Sequence, residues 1–425
     1  MDDGTTQVLV VSLVVRGQPH DIWYQPSARL SGGAPSRRER HFMSVASSDR
    51  GQIRLVEAKN GQTVRDFLHL PERIYADDPA WIAPLIFEQK QRVFENKPLF
   101  AHCEVACWVA YRDGAPVGRI TAQLDHLQPE EIGGGKIGYF GMLEAIDDAA
   151  VFAALFETAQ TWLRGQGASF LRGPYNLSIN EDLGLLVENF DDPPFVMMGH
   201  ARPYYKARIE EQGFNAIKDL LTYKVRPDFV APEVMTKLAT RASRTVTIRP
   251  LNSKAKVADY EAMRDIFNDA WSDNWGFVPF TKEEFAETAK VLSFLLSDDY
   301  IQFAEIDGRP VAFITAFPNL NELIGDLRGR LLPFGWAKLL WRLKVRGPKS
   351  ARVALMGVRK EYQNARLGPT LAFLVIEAVR KAMQQRNVTS VEMGWILEDN
   401  HGMRHIIEAI GSTIYKRYRV YQKPL

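Results

Sequence analysis

The sequence predicts an α/β protein made of two tandem copies of one domain, each with a mixed central sheet flanked by helices. Three observations carry this expectation. At 425 residues the chain is too long for one ordinary core. The run Asp113–Ala122, reading DGAPVGRITA, matches Asp307–Ala316, reading DGRPVAFITA, at an offset of 194 residues. Ile53-Arg54 and Ile248-Arg249 repeat at 195, and Gly213 and Gly411 at 198, a period that means a duplicated domain and not a solenoid.

Each copy reads alike. A first strand (Ile53–Ala58; Val246–Leu251) leads into helices (Val64–Tyr75 and Leu85–Phe94; Val257–Trp271 and Lys282–Leu296). In each matched run an Asp-Gly pair stands between alternating apolar residues, the signal of a two-residue hairpin turn. A strand follows (Ile137–Leu143; Val353–Val358), then a helix (Asp147–Gly165; Pro369–Arg386). Another strand (Phe170–Pro174; Ser390–Leu397) precedes a final helix and strand. Pro227 and Pro232 interrupt the pattern, which places the copies at 51–226 and 244–425 with a linker at 227–243. Residues 1–50 match nothing in the second half and include SGGAPSRR; they read as a poorly ordered N-terminal extension, with Met43 as a candidate start.

Composition narrows the class. With 46% apolar and 24% charged residues and a formal net charge of +2, the chain is of soluble globular type and not a dedicated nucleic-acid binder. No run reaches the ~18 apolar residues of a membrane span. The longest, Val8–Val15, follows Asp2 and Asp3 and makes a poor signal peptide. Cys103 and Cys107 lie four apart on one expected strand, facing one side, with no further ligands nearby. They read as buried thiols in a reducing compartment, and no metal site is expected.

The stretch Ala351–Gln385 is the richest. An apolar run of strand length, Ala351–Val358, passes through the basic turn Arg359–Gly368 into helical periodicity from Pro369. Such a strand–loop–helix is an anion cradle, because the first helical N–H groups lack internal partners and the helix dipole adds positive charge. Met356, Gly357, Val358, Gln363, Asn364, Ala365, Arg366, Leu367, Gly368, Pro369 and Thr370 are the candidate binding residues. The stretch resembles the coenzyme A pyrophosphate loop of the GNAT acyltransferase superfamily, whose pattern is Gln/Arg-x-x-Gly-x-Gly/Ala. Here it reads Gln363-Asn364-Ala365-Arg366-Leu367-Gly368, departing where Arg366 replaces the first glycine.

The resemblance implies two GNAT-like domains in tandem, with acyl-CoA as co-substrate threaded between two splayed strands of the C-terminal copy. A backbone N–H near Val358 would polarise the thioester carbonyl for direct attack by a bound amine. In the N-terminal copy Gly138–Glu144 is followed by acidic Ala145–Val151, with no glycine turn, and Asp147 and Asp148 would repel a pyrophosphate. That copy is expected to hold no coenzyme A.

Val391–Asn400 resembles the family's next strand, ending at the Asn that opens the last helix. Many members carry a Tyr seven residues later; this chain has Ile407. Glu398, Asp399, Asn400 and Tyr415, with Tyr418 nearby, are the candidates for acid–base work, although Asp399 and Asn400 read equally as a helix N-cap. His401 and His405 lack a third ligand and read as a surface pair. In the first copy Asn176, Asn180, Glu181, Tyr204 and Tyr205, together with Trp336 of the second, form a candidate substrate wall; the alternative is a structural loop stitching the copies.

The second copy inserts residues 318–350 where the family usually has a short connection. Leu332, Trp336, Leu339, Leu340 and Leu343 fall on one helical face, and Lys338, Arg342 and Arg346 on another. Seven basic residues and no acid lie between Arg328 and Lys349, which favours an anionic membrane surface or an acyl-chain lid over a helix packed on its own sheet. Trp395–Gly411 and Ile414–Tyr421 are similar to the double-GNAT group that includes the bacterial ceramide synthases. That similarity implies a long-chain acyl-CoA, a sphingoid base as acceptor, and a cytoplasmic protein held peripherally at the inner membrane. Acetylation of a small polar amine or peptide, and a catalytically dead lipid-binding scaffold, stay open as alternatives.

Overall fold

The computed structural model describes residues 51–425 apart from 96, 130–133 and 366, so the extension at 1–50, Met43 and Arg366 lie outside the described residues. Ile53–Leu425 form one compact unit. The first copy runs β1 (Ile53–Glu57), α1 (Gly61–Ile74), α2 (Ile86–Phe94), β2 (Cys103–Arg112), β3 (Ala115–Asp125), β4 (Lys136–Ala145), α3 (Ala149–Gly165) and β5 (Ala168–Gly173). Three short strands follow, β6 (Tyr175–Asn176), β7 (Asp182–Leu183) and β8 (Leu185–Glu188), then α4 (Tyr204–Glu211) and β9 (Asn215–Val225). A helix, α5 (Glu233–Ala242), occupies most of 227–243.

The second copy repeats the series as β10 (Val246–Pro250), α6 (Lys256–Trp271), α7 (Lys282–Leu295), β11 (Ile301–Ile306) and β12 (Arg309–Pro318). Its insertion carries α8 (Asn321–Ile324) and α9 (Gly335–Trp341). Then come β13 (Ser350–Val358), α10 (Lys360–Gln363), α11 (Leu367–Gln385), β14 (Ser390–Leu397), α12 (His401–Ala409) and β15 (Thr413–Pro424).

Local chemistry accounts for the matched elements. Asp113 and Gly114 have φ of 50° and 77°, and Asp307 and Gly308 have the same pair of values, so both hairpins close through two left-handed residues that match strand twist. Asp148 caps α3 by accepting from the N–H groups of Ala150 and Val151, and Thr281 with Glu284 forms a reciprocal cap on α7. Cys103 and Cys107 are buried on β2 as free thiols, and burial pushes the Cys107 thiol up to about 12.

Strand order reveals what the linear repeat conceals. One large sheet runs β1-β2-β3-β4-β5-β15-β9-β14-β13-β12-β11-β10, with β8 pairing on β15. The last strand of each copy has crossed over. β15 pairs with β5 of the first copy, β9 pairs with β14 of the second, and the two pair antiparallel with each other at the centre. Charge locks this junction: the β9 carboxylate of Asp219 accepts from Arg419 at 2.7 and 2.9 Å and from Arg417 at 2.8 Å, both on β15. Burial works to raise its pKa, but the bonds from Arg419 and Arg417 outweigh this and hold the carboxyl below the usual range.

Candidate active site

The site begins where two strands part. β13 and β14 run parallel from the pair Ser350–Ser390 to the pair Val353–Met393 and no further. β13 stays on β12 as far as Val358, with Ala354 bulged out, while β14 stays on β9 from Val391 to Leu397 and bulges at Gly394 and Trp395. Ala354–Val358 therefore have a strand neighbour on one side only, along about 16 Å at the usual strand rise. Trp271 and Trp395 flank this gap edge-to-face at 5.8 Å, and the Trp271 indole N–H donates to Met356 O at 2.9 Å.

The first copy parts its strands in the same place, with β4 and β5 pairing only from Lys136–Ala168 to Tyr139–Arg172. There the gap is filled by the chain itself. Met142 N donates to Asn176 Oδ1 at 2.8 Å, and Gln123 Nε2 holds Tyr175 O at 2.8 Å. A Cβ on Gly141 would sit 1.8 Å from Tyr175 O, so this contact requires glycine.

The loop after β13 is compact. Gln363 Nε2 folds back to Val358 O at 2.8 Å and Ala270 O at 3.1 Å, and Gly368 packs so tightly that a Cβ would lie 2.5 Å from Tyr362 O. Asn364, Ala365 and Pro369 are exposed, Leu367 is half-buried and Thr370 is buried beneath them. Met356 lies in the open stretch, and Gly357 and Val358 are buried at its loop end.

At the closed end of the gap lies a buried polar cluster. Arg352 and Glu392 face each other across the last parallel pairs, 4% and 0% exposed, with Nε and Oε1 3.5 Å apart. Arg352 also donates to Gly394 O at 2.8 Å, at the fork itself, and to Val196 O and Met197 O at 3.3 Å. Tyr415, the bulged residue of β15, donates to Glu392 Oε2 at 2.6 Å. Glu392 Oε1 and Arg352 Nε remain without a hydrogen-bond partner. Burial raises the Glu392 pKa against the pull of Arg352, and raises that of Tyr415. Lys416, 0% exposed, donates to Asp192 O at 2.5 Å and is brought down to about 8 by burial. A half-satisfied charged network inside a core is costly, so its position at a fork marks it as a candidate for chemistry.

The other sequence candidates are dispersed. Glu398 Oε1 accepts from Asp219 N at 3.1 Å, Asp399 pairs with Lys218 at 2.8 Å, and Asn400 caps α12 by accepting from Met403 N at 3.1 Å. Tyr418 is wholly buried, Ile407 belongs to the core, and His401 and His405 are exposed. Asn176 sits in the filled gap of the first copy, while Asn180 Nδ2 reaches Val278 O at 3.3 Å. Glu181 pairs with Arg92. Tyr204 bonds Ala145 O at 2.7 Å and Tyr205 bonds Glu144 at 2.6 Å in the first core, and Trp336 bonds Pro333 O at 3.1 Å in the insertion. Arg92 thus joins Asn176 to Glu181, donating to Asn176 O at 3.0 Å, while the two tyrosines and Trp336 have other partners. Among the described candidates Tyr415 hydrogen-bonds to the buried cluster, and the buried Tyr418 lies within the reach of the Glu392 and Arg352 charges. Arg352 and Glu392, the partners of Tyr415 in the cluster, are absent from the sequence candidates, although a charge inside each of the apolar runs Ala351–Val358 and Val391–Leu397 is a legible signal; Lys416 carries no such signal.

Among the described residues no group of His, Cys, Asp and Glu suited to a metal occurs, and no helix is long and apolar enough to cross a membrane. No family model matches the chain. It is similar to Protein YghO of Escherichia coli (strain K12), 48% identical over 90% of this chain and 98% of that protein. It is also 43% identical to the bacterial ceramide synthase of Caulobacter vibrioides, over 89% of this chain and 99% of that one. Among solved structures, the tandem GNAT protein from the clavulanic acid biosynthesis pathway covers 88% of this chain and 98% of its own at a TM-score of 0.52 and 14% identity. A GCN5-related glucosamine N-acetyltransferase region of a fungal multi-domain β-N-acetylglucosaminidase gives 0.54 at 15% identity, over 89% of this chain and 38% of that one. The chain therefore shares the fold of the tandem GNAT proteins and belongs to the family that includes the bacterial ceramide synthase of Caulobacter vibrioides.

Proposed function

We propose that the protein transfers a long-chain acyl group from acyl-CoA to the amine of a sphingoid base, forming a ceramide. The observation that supports this most is the open gap beside Ala354–Val358, which ends on the buried Glu392–Tyr415 pair while its counterpart in the first copy is filled. In this reading 51–226 and 244–425 are the two copies, and only the second takes acyl-CoA. Its pyrophosphate lies on the loop Gln363–Thr370 and its pantetheine arm lies along the unpaired edge of β13.

N–H and C=O of one residue on an antiparallel strand point the same way, and Met356 O is engaged by Trp271 on the side away from β12. We therefore assign the Met356 N–H to the thioester oxygen, as the Met142 N–H donates to Asn176 in the first copy. Glu392 takes the proton that turns the bound ammonium into an amine. The amine attacks the thioester carbon, and the carbon–sulfur bond breaks. Tyr415 gives its proton to the departing sulfur and regains one from Glu392, which takes up the proton lost by the amide nitrogen and releases it to solvent before the next cycle. The measured identity to a protein named ceramide synthase supports a sphingoid acceptor. Substrates with long chains reside in bilayers, which supports a cytoplasmic protein held peripherally at the anionic face of the inner membrane.

Purified protein given palmitoyl-CoA and sphinganine is expected to release free thiol and an amide lipid of matching mass. Turnover confined to acetyl-CoA and a water-soluble amine would overturn the lipid assignment.

A further inference from the structure

We infer that the outer face of the 318–350 insertion docks the protein on an anionic lipid bilayer. The periodicity of the sequence placed the apolar stripe on Leu332, Trp336, Leu339, Leu340 and Leu343, opposite three cations. The structure distributes them otherwise. α9 ends at Trp341 and continues as a π-helical turn over Arg342–Arg346, which shifts the register after the first two turns. Leu339, Leu340 and Leu343 are half-buried. Leu332 and Trp336 of that stripe do stand out, 55% and 37% exposed, and Phe334, Val345 and Trp341 join them at 78%, 68% and 57%. Five large apolar side chains projecting from one short segment form a patch that water alone disfavours.

The charges around the patch select its partner. Lys338 and Arg342 are answered by Asp326, whose carboxyl their hydrogen bonds hold well below the usual range. Arg330 lies 4.0 Å from Glu72. Arg328, Lys344, Arg346 and Lys349 make no side-chain ion pair among the described residues, and no acid lies between positions 328 and 349. Aromatic and aliphatic residues ringed by unpaired cations suit the headgroup region of an anionic leaflet, where rings sit at the boundary and cations meet phosphate.

Position supports the same partner. The insertion leaves β12 at Pro318 and re-enters at Ser350, the end of β13 opposite the loop Arg359–Gly368. Asn319 Oδ1 accepts from Val196 N at 3.0 Å and Asn321 donates to Pro194 O at 2.8 Å. The insertion thus grips the segment that Arg352 also holds through Val196 and Met197, over the buried cluster. An acyl chain leaving the fork away from the loop would head toward the docked face. This inference extends the proposed function, but its test does not depend on which amine is acylated.

The test is flotation of the full chain with vesicles of phosphatidylcholine, alone or mixed with phosphatidylglycerol. Binding only to the mixed vesicles is expected, and it should weaken steeply with salt. K344Q/R346Q/K349Q should lower the partition coefficient about a hundredfold, at a few-fold per charge. F334S/W341S/V345S should reduce binding to background. Both variants should keep wild-type acylation of substrate in detergent micelles, which separates a docking defect from a failed site. Binding equal on neutral vesicles, binding unchanged in either variant, or a self-associating wild type that F334S/W341S/V345S turns monomeric would each overturn the inference.

Discussion

Replacing Glu392 and Arg352 separately and together distinguishes a catalytic carboxylate from a structural ion pair. In Glu392→Gln the Arg352 guanidinium keeps its carbonyl partners Gly394, Val196 and Met197 but loses the facing charge 3.5 Å away, in a site 4% exposed. Leaving one member of a buried pair uncompensated costs about 3–5 kcal/mol, so the melting temperature should fall by several degrees. Activity should fall about 10²–10⁴-fold if the carboxylate moves a proton. The double variant R352L/E392L removes both charges and refills the space with apolar side chains, which restores most of the lost stability. Acylation by each variant is followed by thiol release at saturating acyl-CoA, and acyl-CoA affinity by calorimetry. A stable double variant that binds acyl-CoA but stays about as inactive as Glu392→Gln is the expected result. Recovery of activity along with stability would refute the assignment and make the pair a structural one.

Four further outcomes follow from particular contacts. Tyr415→Phe removes the 2.6 Å bond to the buried Glu392; it should cost about 1–3 kcal/mol of stability and cut turnover about tenfold or more in the folded enzyme, and an unchanged rate would remove Tyr415 from the chemistry. Calorimetric titration should give one acyl-CoA per chain because Asn176 and Tyr175 fill the first gap, and a stoichiometry of two would contradict that. Gly368→Ala would press a methyl to 2.5 Å from Tyr362 O, so acyl-CoA affinity should drop at least about tenfold; unchanged binding would move the pyrophosphate elsewhere. Asp219 titrates below the usual carboxylate range in the folded state, so its stabilisation is complete above the unfolded value of about 4 and disappears as pH falls through the folded value. The stability difference between wild type and Asp219→Asn in urea should therefore shrink below about pH 4, and a difference independent of pH would argue against that bond.

Local features were well legible in the sequence. The Asp-Gly hairpins, the helices over Gly61–Ile74, Lys256–Trp271 and Leu367–Gln385, and the strand Ser390–Leu397 follow from periodicity and turn chemistry, and all stand within a few residues of expectation. Pairing was not legible. Nothing local to Thr413–Pro424 says that it lies against Ala168–Gly173, because partner choice depends on residues more than two hundred positions away. The site divides along the same line. The loop Gln363–Gly368 is contiguous and was visible as a pattern, whereas Arg352, Glu392 and Tyr415 come from three strands that only the sheet brings together. In the insertion the expected face holds only in part, because regular helix covers Gly335–Trp341 alone: Leu332 lies before it and Leu343 in the π-helical turn after it, where the 3.6-residue period no longer applies.

The crossed terminal strands carry a consequence for how such a chain can change. Duplicated genes commonly shed or separate a copy once it no longer works. Here β9 belongs by sequence to the half with the filled gap, yet it forms the edge on which β14 rests in the open half. Deleting the first half would strip the second of a structural wall and leave β15 without β5. The two halves are therefore bound to descend together: mutation can erode the chemistry of one, but each remains part of the other's scaffold.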